Sequence, residues 1–135
     1  MDQARNISLA RELLAALQEG RPPEEVAAMF SDDVLFEIPG DDGVLPWIGH
    51  RRGRAAVAEF IAATRAMTDL LTFDIEDIAA SEARAIIVGE LASRIRKTDK
   101  VVETAFAIIL TISGDRIIRF RMLEDSFAVS LAGRA

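Results

Sequence analysis

Apolar residues recur at three- and four-residue steps in the first half of the chain, which predicts helices. The first helix is predicted to end before Gly20, a residue type that commonly follows a helix C-terminus. Its apolar face comprises Ile7, Ala10, Leu13, Leu14 and Leu17. Prolines 22 and 23, followed by two glutamates, favour the start of a short second helix. A third helix is predicted over residues 54–67. Its apolar face comprises Val57, Phe60, Ile61 and Thr64.

A β-type pattern appears in the short run VLFEI, which ends at Pro39-Gly40, and again throughout the second half of the chain. Residues 39–53 between that first strand and the third helix are assigned to a loop. Four further strands are predicted at 70–80, 83–97, 100–112 and 116–124, and the short turns between them indicate an antiparallel meander. Helices followed by strands are typical of an α+β domain whose helices lie on one side of a curved sheet. We expect residues 1–135 to form one such domain with a pocket between the two layers.

A two-residue turn at Thr98-Asp99 would pair Arg94 with Glu103 and Leu91 with Phe106, and this pairing sorts the strand side chains into two sets. The bulkier set is assigned to the pocket: Ile87, Gly89, Leu91, Ser93, Thr104, Phe106, Ile108 and Leu110. The other set is assigned to the opposite face: Val88, Glu90, Ala92, Arg94, Glu103, Ala105, Ala107 and Ile109. Small apolar residues on that face suit a surface covered by a second subunit, so we expect a homodimer. A register slip of one residue would exchange the two faces.

Composition narrows the classes of partner. The 135 residues include 22 acidic and 16 basic ones, and the net charge of −6 is opposite to that of a nucleic-acid binder or a protein attracted to anionic membranes. No cysteine and one histidine leave no thiolate or histidine cluster for a metal. No apolar run approaches the roughly 20 residues that a membrane span needs, and the charged start is unlike a signal sequence. We therefore expect a cytoplasmic protein with no metal or other cofactor, no nucleic-acid partner and no membrane partner.

Several short segments together resemble the nuclear transport factor 2-like superfamily, and within it the SnoaL-like branch related to polyketide cyclases and ketosteroid isomerases. The segments that carry the resemblance are FEIPG (36–40), PWIG (46–49), GR (53–54) with Val57, GDRII (114–118), Phe120-Arg121 and Asp125. The resemblance implies a cone of three helices wrapped by a strongly bent sheet, with an apolar pocket inside and usually a dimeric assembly. It also implies a small apolar organic molecule as the partner.

The family includes several enzymes, and its fold alone does not imply an activity. The proton-transferring Asp of the related ketosteroid isomerases falls at Ile38, and the Tyr and protonated Asp that bind the oxyanion in those enzymes fall near Leu13 and Ile108. The three positions that resemble the Asp-Arg-Asp site of limonene epoxide hydrolases are Gly89, Leu91 and Asp125, so only one matching residue is present. Both activities are disfavoured. The resemblance leaves two readings open: a cofactor-free acid-base isomerase, dehydratase or cyclase acting on a carbonyl compound, or a non-catalytic ligand-binding or interaction module.

Candidate catalytic residues lie at the end of the last strand. A carboxyl of Glu124 or Asp125 enclosed by Phe106, Phe120 and Met122 would have a raised pKa and could exchange protons near neutral pH. The alternative is that Asp125 caps the segment SFAVSLA and Glu124 is solvated. Which of the two carboxyls faces the pocket stays open.

Further ligand-binding candidates come from the pocket face and from the loop region. Ile108 is expected in the pocket with the three apolar residues named above. Glu37 could face either the cavity or the solvent. Trp47 is interpreted as a lid over the pocket mouth, where its N–H could also contact a ligand. His50 is an acid-base candidate by its ordinary pKa, and the alternative is a solvated basic loop over residues 50–54.

Overall fold

The computed structural model describes residues 2–135 and consists of four helices and six strands. The helices are α1 (Gln3–Gln18), α2 (Pro23–Ala27), α3 (Arg54–Met67) and α4 (Ser126–Gly133). The strands are β1 (Phe30–Ile38), β2 (Gly49–Arg52), β3 (Thr68–Ala80), β4 (Arg84–Ile95), β5 (Lys100–Ser113) and β6 (Arg116–Glu124).

All six strands form one open mixed sheet in the order β2-β1-β6-β5-β4-β3. Strands β1 and β6 run parallel, and every other neighbouring pair is antiparallel. The predicted α+β class and the antiparallel meander of β3 to β6 are confirmed. The assignment of residues 39–53 entirely to a loop was wrong, because residues 49–52 form β2 and pair with β1. This strand is four residues long, GHRR, and it has none of the apolar alternation that marks a strand in the sequence.

Helix α1 is fixed at its start by a cap and along its length by packing on the sheet. The Asp2 carboxylate accepts a hydrogen bond from the Arg5 backbone N–H at 2.7 Å. Asn6 is fully buried, and its side-chain amide donates to the carbonyl oxygens of Ser81 and Glu82 at 2.9 and 3.1 Å. These bonds tie the helix to the turn between β3 and β4, so that the apolar face of α1 covers the inner face of the sheet.

The register of β4 against β5 differs by two residues from the expected one. Leu91 pairs with Thr104 and Gly89 with Phe106, because the connection covers residues 96–99 and includes Asp99 with a φ of 60°. Side chains alternate with a period of two, so the shift leaves every residue on its expected face. The inner set is buried or half-buried as predicted. The expected pairing of Arg94 with Glu103 was wrong: Arg94 forms ion pairs with Asp69 and Asp99 instead.

Strand β3 approaches β4 closely at Gly89 of β4. A Cβ atom built at this position would lie 2.1 Å from the backbone oxygen of Asp74 and 3.0 Å from the Phe106 ring. The pairing of β3 with β4 shifts between Ile75 and Asp77, directly beside this point. Such a register shift is typical of a β-bulge, which increases the local twist of a sheet.

Membrane-spanning helices are not found within residues 2–135, where no helix is long and apolar enough to cross a bilayer.

Candidate functional site

A cavity of about 690 Å³ lies between the inner face of the sheet and the helices. Its lining is mainly apolar and comes from α1, α2, α3, β1 and β3 to β6, together with the segment before β2 and the last helix. The aromatic members of the lining are Phe30, Phe36, Trp47, Phe60, Phe73 and Phe120. All four residues of the predicted apolar face of α3, from Val57 to Thr64, belong to the lining. The volume is in the range of small-molecule binding sites.

One wall of the cavity is an aromatic cluster. The rings of Phe36 and Phe120 stack with centroids 4.6 Å apart and an angle of 12° between their planes. Phe60 packs against Phe36 at 5.1 Å, and Trp47 meets Phe60 edge-on at 6.3 Å. These contacts hold the aromatic wall in place, since offset and edge-to-face pairs are favourable beyond their buried area.

Exposed lining residues mark where the cavity opens. Gln18 at the end of α1, Arg65 near the end of α3 and Leu70 in β3 are exposed, with Asp69 beside them. Arg65 donates to the backbone oxygen of Arg21 at 2.6 Å. The Asp69 carboxylate is bound by Arg96 at 2.7 Å, and this hydrogen bond lowers the pKa of Asp69. Both charged groups at the mouth are therefore held by other residues.

Glu124 is the acidic group in the inner lining. Along β6 the residues Phe120, Met122 and Glu124 alternate onto the inner face, and the Cα partner of Glu124 on β5 is Phe106. Within the described residues 2–135 the Glu124 carboxyl has no hydrogen-bond or ion-pair partner. Burial disfavours its charged form and raises its pKa to about 7. The carboxyl can therefore accept or release a proton near neutral pH.

Asp125 has a different environment, although it is the next residue. Its backbone N–H donates to the Thr104 hydroxyl oxygen at 2.8 Å, and its carboxylate accepts from the Ala128 backbone N–H at 3.0 Å. The residue is exposed and is the N-cap of α4. Asp125 is therefore placed to begin a helix, as in the capping alternative, and its side chain does not line the cavity.

Three hydroxyl groups in the cavity lining already donate hydrogen bonds to backbone oxygens. Ser93 donates to the Asp69 backbone oxygen at 3.4 Å, Thr64 to the Phe60 oxygen at 2.9 Å and Thr68 to the Thr64 oxygen at 2.7 Å. Among the residues that the structure describes, the Trp47 indole N–H has no acceptor. The inner cavity thus presents one carboxyl and few free hydrogen-bond donors to a ligand.

Comparison with known protein families identifies the chain. The model of the SnoaL-like domain matches residues 10–120. The chain belongs to the SnoaL-like domain family. A search of curated protein sequences gives no significant match.

Solved structures that resemble this SnoaL-like domain support the same assignment. An NTF2-like protein from Burkholderia xenovorans superposes with a TM-score of 0.89 at 22% identity over 99% of both chains. A proposed SnoaL-like polyketide cyclase from Mesorhizobium loti gives 0.70 at 12% identity, covering 86% of this chain and 96% of its own. A protein with a ketosteroid isomerase-like fold from Catenulispora acidiphila, solved in complex with trimethylamine, gives 0.67 at 18% identity, with 85% and 83% covered. At these identities the likeness shows the fold.

Most of the expected apolar ligand-binding residues of this SnoaL-like domain lie in the cavity wall. Trp47, Ile108, Phe120 and Met122 belong to the lining. Phe106 is buried on the same face but lies behind Phe73, with which it stacks at 5.0 Å. Trp47 is only 7% exposed, and it belongs to the cavity wall. It also borders a separate cleft of about 180 Å³ with Pro46, Arg51 and Glu59.

The two polar ligand-binding candidates, Glu37 and His50, lie on the outer face of the sheet. Phe36 points into the cavity, so the next residue of β1 points away from it. Glu37 is 7% exposed because ion pairs with Arg119 and Arg121 cover it, and its carboxylate lies 3.1 Å from His50 Nδ1. Arg119 and Arg121 share this outer face, because Phe120 between them points into the cavity. Neither residue lines the cavity, so the prediction that Glu37 and His50 bind a ligand in the pocket is corrected.

Several lining residues were missed as ligand contacts in the sequence. Phe36 and Phe73 are on strands whose faces were not assigned, and Gln18 and Arg65 come together only where two helices end beside β3. The alternation of Phe36 with Glu37 was a usable signal, because a buried pocket face would take the phenyl ring. Nothing in the sequence indicated the mouth, since it depends on the packing of three elements.

Within residues 2–135, no three His, Asp or Glu side chains lie close enough together to hold a metal ion.

Proposed function

We propose that this SnoaL-like protein binds a small, mostly apolar organic molecule in the cavity and that Glu124 exchanges a proton with it. The observation that carries the proposal is the Glu124 carboxyl in the cavity wall, with a pKa of about 7. A general acid or base is most effective when its pKa is close to the working pH. The trimethylamine complex of the C. acidiphila protein is consistent with small organic ligands for this fold.

The reaction class that suits a single carboxyl is a cofactor-free isomerisation, dehydration or cyclisation of a carbonyl compound. In such a reaction the Glu124 carboxylate takes a proton from the carbon next to the carbonyl, the C–H electron pair moves toward the oxygen, and the same carboxyl returns the proton at another atom. The aromatic wall of Phe36, Phe60 and Phe120 would hold the hydrocarbon part and exclude water. The structural neighbours described as a polyketide cyclase and as isomerase-like agree with this class.

The second candidate is a binding module without catalysis, and one observation favours it. The Ser93, Thr64 and Thr68 hydroxyls donate to backbone oxygens, so these three donors are not available to an enolate oxygen. Removing an oxyanion donor from an enzyme commonly costs roughly a hundredfold or more in rate. A carboxyl without such donors is a weaker catalyst.

The two candidates are separated by proton exchange on a bound ketone. Proton NMR in D2O would follow the hydrogens next to the carbonyl of cyclohexyl methyl ketone with wild-type protein, Glu124→Gln, and the control Glu12→Gln on the exposed face of α1. We expect the wild type and the control to accelerate exchange, and Glu124→Gln to lose about a hundredfold of that acceleration. Binding of the ketone without any acceleration by the wild type would leave only the binding module.

A further inference from the structure

The charge balance of the inner cavity indicates the kind of ligand that fits it. Glu124 contributes one negative charge when ionised, and no cationic side chain lies within ion-pair distance of it among residues 2–135. A buried carboxylate without a counter-charge is unfavourable, because the desolvation of the charge is not offset. A ligand that brings a positive charge would remove this cost and would be held in place by the same contact.

Ionisable groups on the elements around Glu124 are directed to other partners. At the mouth, Arg65 donates to the Arg21 oxygen and Asp69 is bound by Arg96. Asp125 caps α4, and Asp41 is bound by Ser130 and Arg134. Lys97 lies with its Nζ atom 3.4 Å from the Val44 oxygen. None of these groups neutralises the carboxyl, and none supplies a cation to the inner cavity.

Aromatic rings in the wall add a second feature that suits a cation. Phe36, Phe60, Phe120 and Trp47 form one connected cluster, and Phe73 lies in the lining beside Phe106. The faces of such rings attract organic ammonium groups, and the attraction is larger where water is excluded. The rings also provide the apolar surface that a hydrocarbon frame requires.

We propose that the ligand of this cavity carries a basic nitrogen on an apolar frame, and that the nitrogen is bound as a cation against the Glu124 carboxylate. This inference rests on the proposed binding role of the cavity and is independent of turnover. It also agrees with the scarcity of donors in the lining, because a cationic ligand needs an acceptor and aromatic faces and does not need an oxyanion site.

The test compares three probes that share one ring and chain: cyclohexylmethylamine, cyclohexylmethanol and cyclohexanecarboxylate. Ligand-observed NMR titrations at pH 8 would measure their affinities for wild type, Glu124→Gln and the control Glu12→Gln. We expect the wild type and the control to bind the amine about tenfold or more tightly than the alcohol, and the carboxylate weakest, since charge-assisted hydrogen bonds exceed neutral ones. In Glu124→Gln the preference for the amine should disappear while the alcohol still binds.

Proton linkage gives a second readout with the same probes. Amines of this type stay protonated to about pH 10, so Glu124 is the group of the inner lining whose charge changes between pH 5 and pH 8. The amine affinity should rise through pH 7 and then level off, whereas the alcohol affinity should not rise. An amine that binds no more tightly than the alcohol, or whose affinity is unchanged in Glu124→Gln, would overturn the inference and leave the proposed function standing. Failure of the amine, the alcohol and cyclohexyl methyl ketone alike to bind would overturn both.

Discussion

Glu124 and Asp125 are neighbours in sequence but have opposite electrostatic environments. Glu124 points into an apolar cavity without a partner, and its pKa rises to about 7. Asp125 points to solvent, and its carboxylate accepts the N–H of Ala128. One step along a strand reverses the face, so the end of β6 places one acid at the ligand site and uses the other to start α4. The proposed chemistry therefore rests on a single side chain.

Protein stability should depend on pH through Glu124. The folded state keeps its proton up to pH 7, whereas the unfolded chain releases it near the ordinary value of 4.5. The folded state thus binds more protons between these limits, and stability falls as pH rises from about 4.5 to about 7. Glu124→Gln removes the buried charge, so it should exceed wild type at pH 8 by up to about 3 kcal/mol and match it near pH 4.5.

Urea denaturation at pH 5 and pH 8, followed by Trp47 fluorescence, would measure this difference. The control Glu12→Gln, on the exposed face of α1, should change little at either pH. A variant at position 124 that is less stable than wild type at pH 8 would contradict a desolvated carboxyl.

Ligand binding should be visible through Trp47, the only tryptophan in the chain. Its ring lies in the cavity wall and meets Phe60 edge-on, so a bound molecule would change the surroundings of the indole. We expect the emission to shift in wavelength or intensity when one of the cyclohexyl probes binds. Unchanged emission with a probe whose binding is established by NMR would place the ligand away from Trp47.

At the scale of the elements, the close contact between β3 and β4 depends on Gly89. A methyl group there would collide with the Asp74 backbone oxygen, which cannot move without displacing β3. We expect Gly89→Ala to destabilise the fold by about 1–3 kcal/mol or more, as overpacking commonly does. Gly40→Ala is the matched control, because its nearest neighbour is a side-chain methyl of Ile48 at 3.2 Å and not a backbone atom. Equal thermal stability of the two variants would show that β3 adjusts without cost.

The elements were predictable from the sequence where a long apolar pattern defines a face. The face of α3 and the inner faces of β4 and β5 were correct, and an error of two residues in the register did no harm because side chains alternate with the same period. The strand β2 could not be predicted, since GHRR has no buried face and is held by pairing with β1. The sequence did not show that Glu124 faces the cavity and Glu37 the outer side of the sheet. Their roles depend on which neighbours cover them, and tertiary packing decides that.

At the scale of the whole molecule, the outer face of the sheet has a charge pattern that suits a second copy of the chain. One end, on β2 and β6, carries His50, Arg52, Arg119 and Arg121. The other end, on β3 to β5, carries Asp74, Asp77, Glu90 and Glu103. These four acids are exposed and form no ion pair with the residues that the structure describes. The apolar centre comprises Val88, Ala105, Ala107, Ile109 and Leu123.

We propose a two-fold dimer in which the basic end of each copy covers the acidic end of the other, with the apolar centre between them. Light scattering at micromolar concentration should give about twice the 14.8 kDa of one chain. Ala105→Asp places a charge in the centre and should yield monomers, while Ala55→Asp, on an exposed part of α3, should remain dimeric. High salt should weaken the dimer because the end contacts are ionic. A wild-type mass of one chain would contradict the proposal.

The most direct test of the functional account is the titration of the Glu124 carboxyl itself. Carbon-13 NMR of the glutamate side-chain carboxyls across a pH series, with Glu124→Gln to assign the resonance, would give its midpoint. We expect a midpoint near 7, well above the roughly 4.3 of a free glutamate. Saturating cyclohexylmethylamine should lower this midpoint, because the cation favours the ionised form. A midpoint near 4.3 without ligand would show a solvated carboxyl and would contradict its role as the proton-exchanging group of the cavity.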